Sequence, residues 1–281
     1  MLWRPAIDHA MPVSGELTLK LIDEHRILDE AAGLNEPSGL TLNADGSALY
    51  TVSDDTKAVF KLDLKGRLSI TGSFFVGVDD LEGIAISADG QQLLMVQEET
   101  NSIITIDLES RRELSRRPLA GMENYDTISD YFPDPPDNKG LEGITVNTRN
   151  NHVFVVKEGR PGVLIEVSAD QHSVLGSRLL SAENGFNHPK IGQDKLDFSG
   201  LSYDSSRDTI WITSDKGQCL FHYDWNHNKV LQRLDLSVEH NGKAKPIRKS
   251  EGVAIDPERR RLYVVSERDG RLYVYKIHEK S

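Results

Sequence analysis

The chain lacks a second cysteine. Cys219 stands alone among 281 residues, so no internal disulfide can form, and no CxxC or Cys/His zinc pattern exists. Long apolar runs are missing too, and none approaches the length of a membrane span. The first sixteen residues, MLWRPAIDHAMPVSGE, carry an early proline and no apolar stretch of the kind a secretory signal needs. The sequence therefore reads as cytoplasmic, or as extracytoplasmic if a leader has been removed. Positive charge is in deficit: 33 basic residues face 44 acidic ones, for a net charge of −11. That excludes nucleic acid or an anionic membrane as the main partner and is compatible with cation binding. Helical periodicity is weak throughout. No phosphate-binding loop, dinucleotide fingerprint, GxSxG elbow or EF-hand loop is present.

What the chain does have is one hairpin written five times. EPSGLTLNADGSALYTVSDD begins at Glu36, DLEGIAISADGQQLLMVQEE at Asp80, GLEGITVNTRNNHVFVVKEG at Gly140, DFSGLSYDSSRDTIWITSDK at Asp197 and KSEGVAIDPERRRLYVVSER at Lys249. Each is an apolar strand, a polar turn and a β-branched or aromatic strand. A third strand follows each copy, as in AVFKLDL or RLYVYKI, and outer fourth strands fit LSITGSFF, SVLGSRLL and KVLQRLDL. Four strands per repeat at this period is the propeller pattern. The last repeat stops after three strands, and an unassigned strand, residues 17–28, precedes the first. The pattern predicts an all-β, five-bladed β-propeller with four antiparallel strands per blade, whose N-terminal strand closes the last blade and removes the free sheet edges. Residues 1–281 form one domain in this scheme, with 1–16 as an extension and blades starting near 36, 80, 140, 197 and 249.

The repeats carry acids in register. Ser38, Glu82, Glu142, Ser199 and Glu251 precede the repeated glycines Gly39, Gly83, Gly143, Gly200 and Gly252. Sixteen positions after them come Asp54, Glu98, Glu158, Asp215 and Glu267. In the two serine copies an acid stands two positions upstream, at Glu36 and Asp197. A symmetric turn near Gly90 sets Glu82 opposite Glu98, and inner strands that line a channel bring all five copies to one mouth. Carboxylates so placed repel one another. Three things can balance them: raised pKa values, basic partners such as Lys139, Lys157, Lys216 and Lys249, or a bound cation. Oxygen ligands suit Ca2+, with Mg2+ and Mn2+ as alternatives. The candidate metal ligands are Glu82, Glu142, Glu251, Asp197 and Glu36. Asp54, Glu98, Glu158, Asp215 and Glu267 form a second ring, each also able to bond backbone in the turn that follows. The glycines permit close packing of the inner strands.

Three connections exceed what blades need: 109–140, with Tyr125, Tyr131 and Phe132; 181–197, with His188 and Lys190; and 237–249, with Lys243, Lys245, Arg248 and Lys249. Topology sends them to the carboxylate face, where long loops on a rigid scaffold bind ligands. The expected partner at the channel mouth is a small molecule or a protein, with a carboxylate or phosphate ligand suited to the basic loop. His188 is a weak candidate base. His222 and Cys219 share a third strand and read as packing residues.

The series SGL, LEGI, LEGI, FSGL and SEGV, each followed by an acid-tipped strand, resembles the SdiA-regulated, YjiK-like bacterial family over about residues 17–277. The resemblance implies a five-bladed propeller related to NHL-repeat proteins, with a calcium site and no established reaction. The Glu-Gly pairs are similar, more distantly, to those of regucalcin-like gluconolactonases and paraoxonase-like lactonases. There a channel glutamate holds a divalent metal used in hydrolysis, which maps to Glu82, Glu142 and Glu251. The inner-strand Asn ligand of those enzymes has no counterpart found here. The sequence thus predicts a calcium-binding propeller that binds a ligand at its mouth, with a divalent-metal-dependent hydrolase acting on a lactone or phosphoester as the alternative.

Overall fold

The computed structural model describes residues 15–133, 139–192, 195–240 and 242–280, apart from the side chains of Asp54 and His240. Most of the expected extension, residues 1–14, lies outside them. The described strands form five four-stranded antiparallel sheets arranged as a five-bladed β-propeller. Blade 1 comprises Pro37–Leu42, Ala48–Ser53, Ala58–Asp63 and Leu68–Phe75. Blade 2 comprises Leu81–Ile86, Gln92–Gln97, Ser102–Asp107 and Glu113–Pro118. Blade 3 comprises Leu141–Val146, Val153–Lys157, Val163–Val167 and Val174–Leu179. Blade 4 comprises Leu201–Asp204, Thr209–Ser214, Cys219–Asp224 and Lys229–Asp235. Blade 5 takes Ser250–Asp256, Arg261–Ser266 and Arg271–Glu279 from the C-terminal end and Leu17–Arg26 from the N-terminal end.

The core lies between blades rather than within any one of them. Tyr50, Val52 and Val59 of blade 1 pack on Ile84, Leu93 and Met95 of blade 2, and comparable apolar layers separate the other neighbours. Second strands are therefore buried on both faces, which is why they read as apolar runs such as LLMV and FVV instead of alternating. Outer strands are half exposed and less regular. Blade 2's outer strand, ELSRRP, lies inside what the sequence presents as a long connection.

The inner strands touch at their glycines. A Cβ built on Gly39 would lie 2.6 Å from the Glu82 carbonyl oxygen. One on Gly83 would lie 2.6 Å from that of Glu142, one on Gly143 2.1 Å from that of Ser199, one on Gly200 2.6 Å from that of Glu251, and one on Gly252 2.6 Å from that of Ser38. Each glycine faces the backbone of the next blade, and the fifth returns to the first. Neighbouring inner strands are further tied by bonds from the Tyr203 N–H to Thr145 Oγ1 (2.9 Å) and from the Ile255 N–H to Ser202 Oγ (3.0 Å).

The insertions depart from expectation. Where described, they wedge into the clefts between blades instead of arching over the mouth. Leu119, Met122 and Ile128 of the first are buried between blades 2 and 3, with Tyr125, Tyr131 and Phe132 packed against them. Phe186 of the second is buried between blades 3 and 4, in edge contact with Phe198 at 5.3 Å between ring centres. The third forms a hairpin, Ser237–His240 with Lys243–Pro246, anchored between blades 4 and 5 by Leu236, Val238 and Ile247. These apolar side chains gain more from the clefts than from a wet mouth.

Candidate metal centre

Four of the five inner strands begin with a register fault; that of blade 4 pairs in unbroken register. Leu81 pairs with Gln97, but Ile84 pairs with Met95, so one extra residue is taken up between them. The same bulge occurs between Leu141 and Gly143, between Ser250 and Gly252, and between Pro37 and Leu40. Glu82, Glu142 and Glu251 occupy these bulges, where the backbone kink re-aims a side chain. The expected Glu82–Glu98 opposition is corrected accordingly. Asp80 is the residue facing Glu98, whose N–H donates to the Asp80 carbonyl at 3.2 Å.

The re-aimed side chains converge on a cup of about 510 Å3. Its described lining consists of Glu36, Ser38, Asp80, Glu82, Glu98, Glu142, Glu158, Asp197, Ser199, Asp215, Lys216, Lys249, Glu251 and Glu267. That is ten carboxyl groups, two ammonium groups, two hydroxyls and no apolar side chain. Every metal candidate from the sequence is present, as are four of the five second-ring acids. Asp54 starts a 3-10 turn, and its side chain lies outside the described residues.

The arrangement is not five-fold in its chemistry. On blades 3 to 5 the acids meet lysines. Lys139 Nζ donates to Glu158 at 2.7 Å, and Lys216 Nζ lies 3.1 Å from Asp197 and 3.4 Å from Glu158. Lys249 Nζ bonds both Glu267 oxygens, at 2.8 and 2.6 Å. Asp197, only 5% exposed, also accepts from Ser214 Oγ at 3.0 Å and from the Lys216 N–H at 2.9 Å. Asp215 accepts from the Lys249 N–H at 2.6 Å. Glu98 likewise accepts from the Gly140 N–H at 2.9 Å, so these two second-ring acids bond backbone entering the next blade rather than the turn that follows them.

Blade 2 differs. Asp80, Glu82 and Glu98 each present a carboxylate oxygen, and the three oxygens lie within 4.8 Å of one another. Neighbouring groups orient all three. Ser38 Oγ of blade 1 donates to Glu82 at 2.9 Å, the Gly140 N–H fixes Glu98, and the Glu99 N–H donates to Asp80. Repeat position offers Asp80 beside Glu82 as blade 2's acid in the ring, and the structure makes it the third member of this trio. The signal was present in the sequence: blade 2 alone has an acid three before its glycine, one before it and fifteen after it. At the first of these positions blades 3 and 5 have Gly140 and Lys249, and at the second blades 1 and 4 have Ser38 and Ser199.

Crowding shows in the titration of the acids. Burial, reinforced by the charges of Glu82, Glu251, Glu98 and Glu158, holds Glu142 well above the usual carboxylate range. Burial and the charges of Asp215, Glu267 and Glu82 push Glu251 up to about 8, against the pull of Lys249. Asp215 is raised by burial and by Asp197. The cup can therefore do two things chemically: hold a hard cation on oxygens, and keep carboxyl protons near neutral pH.

The remaining candidates fall outside the cup's described lining. His188 Nδ1 accepts the N–H groups of Lys190 and Ile191 at 3.2 and 3.3 Å, and burial lowers its pKa. His222 is stacked on Trp211, with ring centres 4.4 Å apart, and Cys219 is fully buried, its thiol pushed up to about 12 by burial. Lys243 and Lys245 are exposed on the hairpin between blades 4 and 5. No helix among the described residues is long and apolar enough to cross a membrane.

Among solved structures the chain is similar to glutaminyl cyclase of Myxococcus xanthus, with a TM-score of 0.63 at 13% identity, covering 96% of this chain and 100% of that one. It is also similar to the β-propeller domain of Cps50 (Swd1) from Myceliophteria thermophila, with a TM-score of 0.51 at 11% identity, covering 92% and 99%. At such identities the likeness is one of fold. The sequence itself matches a described family over residues 21–276, nearly the whole propeller: the chain belongs to the SdiA-regulated family.

Proposed function

We propose that the cup binds a divalent cation, Ca2+ by its donor set, on Asp80, Glu82 and Glu98, and that a small hydrophilic ligand binds beside it. One observation carries this reading: three carboxylate oxygens lie within 4.8 Å of one another. Two oxygens on one Ca2+ stand at most about 5 Å apart, twice the metal–oxygen length, so the trio meets the condition for sharing an ion. Carboxylates that close repel one another, and a shared cation relieves the repulsion. The donor set holds oxygen alone, which favours Ca2+, then Mg2+ or Mn2+, over Zn2+ or Cu2+. Glu142 on the adjacent blade 3 and Glu251 across the cup on blade 5 stand next in line as ligands.

In a ring of five, blade 2 faces the junction of blades 4 and 5, where Lys216 and Lys249 reach the cup. A ligand with carboxylate or phosphate oxygens fits between the trio and the two ammonium groups, and the absence of apolar side chains in the described lining argues against a greasy one. The test is a thermal melt of EDTA-stripped protein against Ca2+, Mg2+ and Mn2+ added separately. Saturable stabilisation of about 2.7 kcal/mol at 100 times the dissociation constant is expected. No shift with any of the three overturns the reading.

A second reading, a divalent-metal-dependent hydrolase, is favoured by the raised carboxyls. A group such as Glu251, which keeps its proton near neutral pH, can donate it to a leaving-group oxygen. The cation would supply polarisation of the substrate's carbonyl or phosphoryl oxygen. Short-chain lactones and phosphoesters are the substrates to screen, with and without EDTA. Turnover that survives Glu251→Gln removes this role for Glu251.

A further inference from the structure

We draw no further inference here: the strongest candidate, the apolar groove along the outer strand of blade 1, where Ile70 and Phe75 are 66% and 70% exposed beside Phe74 and Ala32, has nothing in the structure to show what covers it.

Discussion

Gly143 faces the Ser199 carbonyl so closely that a Cβ on Gly143 would lie 2.1 Å from the oxygen. No real Cβ contact is that short, and the obstacle is backbone of the next inner strand rather than a side chain that can swing away. Gly143→Ala is therefore expected to destabilise by at least the 1–3 kcal/mol typical of overpacking, roughly 3–10 °C in melting temperature. Gly192→Ala, where no heavy atom lies within 4 Å of the added methyl, is the control and should change stability by less than about 0.5 kcal/mol. Equal unfolding free energies for the two variants in urea would contradict the closed glycine ring.

Closure by Leu17–Arg26 makes a second prediction. Leu17 is 1% exposed and shares an apolar layer with Trp211, Tyr275 and Ile277. Removing residues 1–26 strips blade 5 of its outer strand and leaves Arg271–Glu279 as a long unpaired edge carrying Leu272, Tyr273, Val274, Tyr275 and Ile277. The truncated chain should aggregate or melt far below the full chain, and a peptide spanning residues 15–28 added during refolding should rescue it. A truncated monomer with unchanged melting temperature would show that closure contributes nothing.

The raised carboxyl of Glu251 sets a pH dependence. Its pKa is about 8 when folded, against about 4.3 in an unfolded chain. Between these values the folded state keeps a proton that the unfolded state has released, so this group's contribution to stability falls as pH rises through the window and is flat above it. The slope is at most about 1.4 kcal/mol per pH unit for one proton. Metal-free Glu251→Gln should lose that slope and be more stable than wild type at pH 8.5, with the difference vanishing below pH 4. Parallel stability–pH curves for the two proteins would mean that Glu251 titrates normally.

The blades were legible because the physics that makes them is local and repeated. Strands buried on both faces are apolar along most of their length, and LYVV or LLMV can be little else. The glycine register gave the inner strands, since a crowded axis tolerates no side chain. Two features escaped because they depend on neighbours. Bulges such as that between Leu81 and Ile84 follow from how adjacent inner strands meet, so counting outward from the turn paired Glu82 with Glu98 when Asp80 is the true opposite. ELSRRP lies at an exposed outer edge, where little burial is needed to shape its sequence into a strand pattern. The apolar residues Leu119, Met122 and Ile128 were the unread sign that the first insertion packs into a cleft instead of covering the mouth.

The last prediction separates a bound cation from lysine balance. Glu98→Gln keeps an acceptor oxygen for the Gly140 N–H, so the local backbone bond at 2.9 Å can persist while the charge is lost. Calcium titration calorimetry on EDTA-stripped protein should show affinity at least tenfold weaker, about 1.4 kcal/mol, with the melting temperature of the metal-free form unchanged or raised. Lys216→Met acts in the opposite sense. It frees Asp197 and Glu158 from a positive partner and removes an ammonium group from the cup wall, so Ca2+ should bind more tightly. The gain should stay below about tenfold, because a half-exposed charge across a wet cup is worth about 1 kcal/mol or less. If both variants bind Ca2+ like wild type, the trio is not the site. If wild type binds none, and Lys216→Met lowers stability chiefly at neutral pH and above, the lysines balance the acids and the cup is a structural feature of the ring.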